Sequence, residues 1–252
     1  GNAFIKGVQD GGIYACAKHF PGHGNTNTDS HSSLPSIVGT REQLEAIELK
    51  PFKSAIENGV KMIMVGHIAM PGLDSSNNPA SYSKLITTGL LRDKWGFDGL
   101  IITDGMEMGA LTESTWAGES AIRAVEAGAD ILLLPMDISQ TINALVDAVA
   151  NGRISQTRID ESVRRIWLAK ENLGVFTTTH LKSWANVEKD VGKPEHTSIA
   201  NTIAEKSITI VKDNNNLLPL KPQEIKHLTH IILSTDEGAP DMLKSYLWDI
   251  NY

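Results

Sequence analysis

Four short, nearly unbroken apolar runs, at residues 13–17, 61–65, 99–103 and 130–134, alternate with longer stretches, 41–58, 83–95 and 117–127, whose apolar residues recur at helical spacing. The order is therefore β, α, β, α, β, α, β. Met62-Ile63-Met64-Val65 and Leu100-Ile101-Ile102 carry no alternating polar positions. Strands of that kind suit a sheet covered on both faces, which is the condition of parallel strands joined by helical crossovers. The expected fold class is α/β with a parallel sheet.

Two more helical segments follow at 138–150 and 159–173, the first closed by Asn151-Gly152, a C-terminal stop signal. From 177 to about 194 the sequence turns polar and irregular, as in a linker. A helix near 198–206 and short β-type runs at 208–211 and 227–234 then read as the opening of a second α/β domain. The expected division is 1–176 for the first domain, 177–197 for the linker and 198–252 for the start of the second.

The chain has 252 residues, 41% apolar, with a formal net charge of -7 and no long run of one sign. Such a chain can bury a sizeable core, and its charge opposes nonspecific attraction to nucleic acid phosphates, so no nucleic acid partner is expected. Cys16 is the single cysteine, which excludes an internal disulfide and a cysteine-based metal site. No stretch reaches the roughly 20 apolar residues of a transmembrane helix, so no transmembrane segment is expected. The first residues show neither an initiator Met nor a basic segment followed by a signal-type apolar run, and the chain starts as if inside a helix and stops without a cap. It reads as part of a longer protein, and its compartment stays open.

Working residues of parallel α/β folds sit where strands deliver them to the loops at their carboxyl ends. The first expected strand runs into Lys18-His19, the second into Gly66-His67 and the third into Thr103-Asp104. One histidine or aspartate at a strand end is ordinarily a cap or turn residue. Ionisable groups on three strands of one rim are more informative. The same rim receives the loop 20–35, long, glycine-containing and almost free of large apolar side chains. His19, His23, His31 and Asp29 could ligate zinc, but their spacing fits no standard metal signature.

Proton transfer fits better. Asp29 and His31 are one residue apart, so on an extended loop both side chains can lie on one side. A carboxylate there can fix the imidazole tautomer and raise its basicity, making His31 a general acid and then a base. Glycines 22 and 24 would let such a loop open and close. Asp104, just before Gly105, is placed to act as a covalent catalyst at an anomeric carbon. Glu107 reads as a capping or supporting group.

At these residues a family resemblance appears. Lys18-His19-Phe20-Pro21-Gly22-His23-Gly24, then Thr26, Asp29-Ser30-His31 and Leu34-Pro35, closely resembles the signature of the β-N-acetylglucosaminidases of glycoside hydrolase family 3. Pro79-Ala80-Ser81-Tyr82-Ser83, the run from Gly96 to Asp104, and Ala127-Gly128-Ala129-Asp130 resemble later parts of the same family. The resemblance implies the second half of a (β/α)8 TIM-type barrel followed by the start of an α/β sandwich domain. It implies a retaining glycosidase with Asp104 as nucleophile, His31 as acid/base partnered by Asp29, and Lys18 and His19 as sugar contacts, with His67 a candidate pocket residue. The implied substrates are terminal β-linked N-acetylglucosaminides, including cell-wall muropeptide fragments, with no metal or organic cofactor. The two-domain form leans toward an extracytoplasmic location. Three alternatives stay open: a phosphorylase, because a histidine repels incoming phosphate less than a carboxylate does; a family 3 β-glucosidase, although those lack the Asp-Ser-His loop; and a degenerate sugar-binding barrel without chemistry.

Overall fold

Four parallel strands form one sheet in the order β1-β2-β3-β4, each beside its neighbour in sequence. They are β1 (Cys16–Phe20), β2 (Met62–Val65), β3 (Leu100–Gly105) and β4 (Ile131–Leu133). The computed structural model describes residues 1–26, 30, 33–112, 115–177, 187, 189–219 and 221. The chain divides into two compact units, Gly1–His180 and Leu181–Tyr252.

The first unit opens with α1 (Asn2–Asp10) and a glycine turn in which Gly12 takes φ +84°, so β1 starts at Cys16, not at the expected residue 13. Ile13 is left exposed, and pairing with β2 begins at Cys16↔Met62. Apolarity alone placed that strand three residues early, and Lys18 and His19 therefore lie within it. β2 and β3 pair in continuous register from Met62↔Leu100 to Val65↔Thr103.

The single helix expected over 41–58 is two, α2 (Arg41–Ala46) and α3 (Lys50–Glu57). Thr40 and Gln43 form a capping box at the start of α2. Pro51 sits in the first turn of α3, where its missing N–H costs no helical bond but where an uninterrupted helix would lose one. The expected helix over 83–95 is instead a π-helix, Leu85–Lys94, closed by a bond from the Trp95 amide to the Leu90 carbonyl. Its buried residues Ile86, Thr87, Leu90 and Leu91 are paired four apart, a spacing that an α-helix would also turn to one face, so the wider turn shows only in the hydrogen bonding. The Thr87 and Thr88 hydroxyls donate to the Ala80 and Ala127 carbonyls at 2.8 and 2.7 Å.

A short α4 (Gly109–Thr112) precedes α5 (Ala117–Ala127), α6 (Ile138–Ala150) and α7 (Gln156–Asn172). Asp137 and Ser155 cap α6 and α7 by accepting from Gln140 and Arg158 amides, which starts α7 three residues before the apolar periodicity does. The main core lies between the sheet and the first helices: Phe20, Ile63 and Ile101 pack in one cluster with Leu44, Leu49, Phe52 and Leu91. Phe20 meets Phe52 and Trp95 edge-on, with ring centroids 5.3 and 5.9 Å apart. The sheet side of this core anchors the carboxyl end of β1.

In the second unit α8 (Pro194–Ser207) carries Pro194 in its first turn. The β-type run 208–211 is not a strand. Ile208, Ile210 and Val211 are exposed, and no pairing partner exists for them among the described residues, so their β-branched side chains have no ladder to support. The run 227–234 lies outside the described residues. No helix among the described residues is long and apolar enough to cross a membrane.

Candidate active site at the carboxyl ends of the strands

The sheet brings the ends of β1, β2 and β3 together. Asp104 is the penultimate residue of β3, with a partly buried side chain whose Oδ2 lies 3.6 Å from His19 Nε2 at the end of β1. Its Oδ1 accepts the Gly105 amide at 2.9 Å, which turns the carboxylate back along the strand and fixes its orientation. Lys18, one residue before His19, is exposed. Residues 85 positions apart in sequence, His19 and Asp104, are thus joined across β2.

Between them β2 contributes little bulk. Gly66 follows Val65 and donates its amide to the Phe20 carbonyl at 2.8 Å, and a Cβ there would crowd His19 Cβ at 3.2 Å and Ile68 Cδ1 at 3.0 Å. His67, one residue on, turns inward and is 0% exposed. Its Nδ1 lies 2.8 Å from Ser81 Oγ and its Nε2 3.0 Å from the Gly105 carbonyl. Burial pushes the imidazole below its ordinary pKa, so it is held neutral. This placement departs from the pocket position suggested by the sequence: both ring nitrogens face protein atoms beneath Asp104. Ser81 carried no signal of its own. Its place in Pro79-Ala80-Ser81-Tyr82-Ser83 was visible, but not the short 3-10 helix Ala80–Tyr82 that brings it under His67.

Asp29 and His31 lie outside the described residues. The flanks of their loop are described and are fastened. Gly22 donates to the His19 carbonyl at 2.9 Å. His23 Nε2 lies 3.1 Å from Ser30 Oγ, and Ser30 is buried. The far end docks beyond β2, where Ala69 donates to the Pro35 carbonyl and Ile37 to the Ala69 carbonyl, both at 2.9 Å. Gly22 takes φ +135°, and a Cβ on it would sit 2.8 Å from Glu48 Cβ, whereas one on Gly24 would meet nothing within 4 Å. Close approach to Glu48 is thus the reason for glycine at 22. His19 and His23 are edge-on with centroids 6.2 Å apart. Glu107 is exposed.

A groove of about 560 Å³ runs beside Lys18, His19, Gly22 and His23. A larger cavity, about 760 Å³, lies elsewhere, around Arg92, Arg158 and Arg165. There Asp130, just before β4, is fully buried in its side chain and pairs with Arg92 at 2.6 Å and Arg165 at 3.1 Å. This arrangement ties the amino ends of β3 and β4 to the π-helix and α7.

Residues 1–169 match the family model described as the glycosyl hydrolase family 3 N terminal domain. The chain belongs to this family. Among its relatives, a β-hexosaminidase A from Pseudoalteromonas piscicida is 31% identical over 249 residues, covering 90% of this chain and 41% of that protein. The solved family 3 β-N-acetylglucosaminidase of Paenibacillus sp. str. FPU-7 is 38% identical with a TM-score of 0.79, over 86% of this chain and 41% of that one. A solved β-glucoside phosphorylase, BglX, gives a TM-score of 0.86 at 26% identity, over 100% of this chain and 48% of its own. The chain therefore spans less than half the length of these relatives. The α/β fold with a parallel sheet is that of the family.

Proposed function

We propose that the protein containing this chain is a retaining β-N-acetylglucosaminidase, and that unit Gly1–His180 supplies the second half of a TIM-type barrel, with a linker and the start of a sandwich domain after it. The observation that carries the reading is the Asp104 carboxylate, fixed by Gly105 and set 3.6 Å from His19 at the strand ends. A carboxylate so placed can attack an anomeric carbon. Lys18 and His19 reach the same rim from β1 and serve as contacts for sugar hydroxyls.

In the first step Asp104 displaces the glycosidic oxygen of a terminal β-linked N-acetylglucosamine and forms a glycosyl-enzyme, while His31, oriented by Asp29, protonates the departing oxygen. In the second step His31 takes a proton from water, which attacks the same carbon and releases the sugar with retained configuration. Ser30, between the two in sequence, is held by His23, which supports a loop carried to this rim. Relatives named as β-hexosaminidase and β-N-acetylglucosaminidase support the N-acetyl sugar. Muropeptide fragments of the cell wall are the substrates implied by that branch.

The likeness to a β-glucoside phosphorylase supports a second reading, in which phosphate replaces water in the second step. One assay separates the two. The full-length protein is given an aryl β-N-acetylglucosaminide with and without phosphate, and the sugar product is identified. Free N-acetylglucosamine in both conditions supports hydrolysis, and sugar 1-phosphate overturns it. Asp104→Ala should abolish turnover; an unchanged rate removes Asp104 from the mechanism. His31 variants should lose far more activity on poor leaving groups than on activated aryl glycosides.

A further inference from the structure

The buried histidine beneath the strand ends has its chemistry fixed by its partners. The Gly105 carbonyl, 3.0 Å from His67 Nε2, can only accept a hydrogen bond, so Nε2 carries the proton. In a neutral ring Nδ1 then holds a lone pair, and the Ser81 hydroxyl at 2.8 Å must donate to it. Burial keeps the ring neutral. Ser81 thus donates to His67, and His67 donates to Gly105.

Gly105 is where this chain of bonds meets the candidate nucleophile. Its carbonyl accepts from His67 and, at 3.1 Å, from the Met108 amide, which closes the turn after β3. The next amide, Met106, donates to the Leu133 carbonyl of β4 at 2.8 Å. The Gly105–Met106 peptide is therefore clamped on both sides. The amide on the other side of Gly105 donates to Asp104 Oδ1. A glycine has no side chain with which to hold its own backbone, and these bonds supply what it lacks.

We propose that His67 is a positioning residue, which fixes the Asp104 carboxylate for attack by clamping the Gly105 peptide through Nε2–H, and that it does not contact the sugar. The inference rests on Asp104 being the nucleophile. Loss of the clamp lets the carboxylate drift, and a drift on the order of 1 Å at a reacting group can lower a rate by about 100-fold. Substrate binding needs none of these bonds.

The test uses the full-length protein with His67→Ala, His67→Gln and Asp104→Ala. A glutamine amide offers one donor and one acceptor and can span Gly105 and Ser81 in the same sense. His67→Ala should lower kcat by roughly 10- to 100-fold with KM little changed, by the same factor on activated and poor leaving groups, because attack and not leaving-group protonation is impaired. His67→Gln should recover most of that loss, a recovery that loss of packing alone does not give. In the unsubstituted protein, 15N NMR of the His67 ring should show protonated Nε2 and bare Nδ1, a readout that stands even where His67→Ala fails to fold. A raised KM at unchanged kcat would identify a substrate contact and overturn the proposal; so would wild-type kcat in His67→Ala, no recovery in a folded His67→Gln, or the opposite tautomer. If Asp104→Ala itself turns over normally, the nucleophile reading fails first, whatever His67 does.

Discussion

Replacing Asp130 by alanine should unfold the first unit far more readily, because its carboxylate is the only acidic partner within 4 Å of Arg92 among the described residues. The carboxylate oxygens take four hydrogen bonds: Oδ2 from Arg92 at 2.6 Å and the Ile101 amide at 3.0 Å, Oδ1 from Ser162 at 2.7 Å and Arg165 at 3.1 Å. Two of these come from charged donors, and the side chain is 0% exposed. Removing one partner of a buried ion pair typically costs about 3–5 kcal/mol, since the remaining charge stays buried and unpaired. Arg92 is that charge: burial already pushes its pKa down to about 10, against the pull of Asp130, so it is still a cation at neutral pH. The assay is urea denaturation of the full-length protein, with hydrogen exchange of the Ile101 amide as a local probe. With a slope of about 1–3 kcal/mol per molar urea, the midpoint should fall by about 1 M or more, and Ile101 should lose protection. Asp130→Asn should recover little, because its NH₂ would face donors on one side. A loss below about 1 kcal/mol, the range of exposed pairs, would refute the argument and mean that water reaches the arginines.

Other expectations follow from single positions. Gly22→Ala should lower the melting temperature, at a cost of about 1–3 kcal/mol from backbone strain and the clash with Glu48, while Gly24→Ala should leave it unchanged; equal effects would remove the close-approach explanation. The Thr141 hydroxyl is buried with no hydrogen-bond partner among the described residues, so Thr141→Val should be neutral or stabilising by up to about 1–3 kcal/mol, and a clear fall in thermal stability would mean that the hydroxyl is satisfied after all. Because burial lowers the pKa of His67, the unfolded chain binds its proton more readily than the folded one. That group's contribution is present above the unfolded value of about 6.5 and is lost as pH falls below it. Melting temperature plotted against pH should therefore decline less steeply below about 6.5 in His67→Gln than in the unsubstituted protein, and identical slopes would show that His67 titrates no differently on folding.

The sequence revealed order more readily than position. The alternation of buried runs and helical periods predicted the parallel sheet, because a doubly covered strand leaves a continuous apolar record. It misplaced β1, since residues 13–15 are apolar yet precede the pairing at Cys16, and apolarity does not record hydrogen bonding. It read one helix across 41–58 because the apolar period continues through Pro51. Nor does apolar spacing separate a π-turn from an α-turn: Ile86 and Leu90 are four residues apart in either, and the wider turn is visible only in backbone bonds such as that from the Trp95 amide to the Leu90 carbonyl. Asp104 and His19 were legible as strand-end residues, but their meeting depends on register. His67 was legible as ionisable at a strand end, but its burial against Ser81 and Gly105 was not, because whether a side chain points up or in there depends on the loop that packs beneath it. Arg92, Arg158 and Arg165 offered no clue that they share Asp130, since nothing in linear spacing connects them.

The glycine that follows β2 gives this rim its width. Strands in a sheet are about 4.7–4.9 Å apart, so β1 and β3, with one strand between them, stand roughly 10 Å apart at their backbones. Any side chain at Gly66 would press on His19 and narrow that span from the middle. The intervening strand thus works as a gauge block: its backbone sets the separation of the two working strands, and the missing side chain at Gly66 leaves His19 room to stand 3.6 Å from Asp104 across it. An alanine at position 66 should therefore push His19 away from Asp104 before any charged residue on either side is altered.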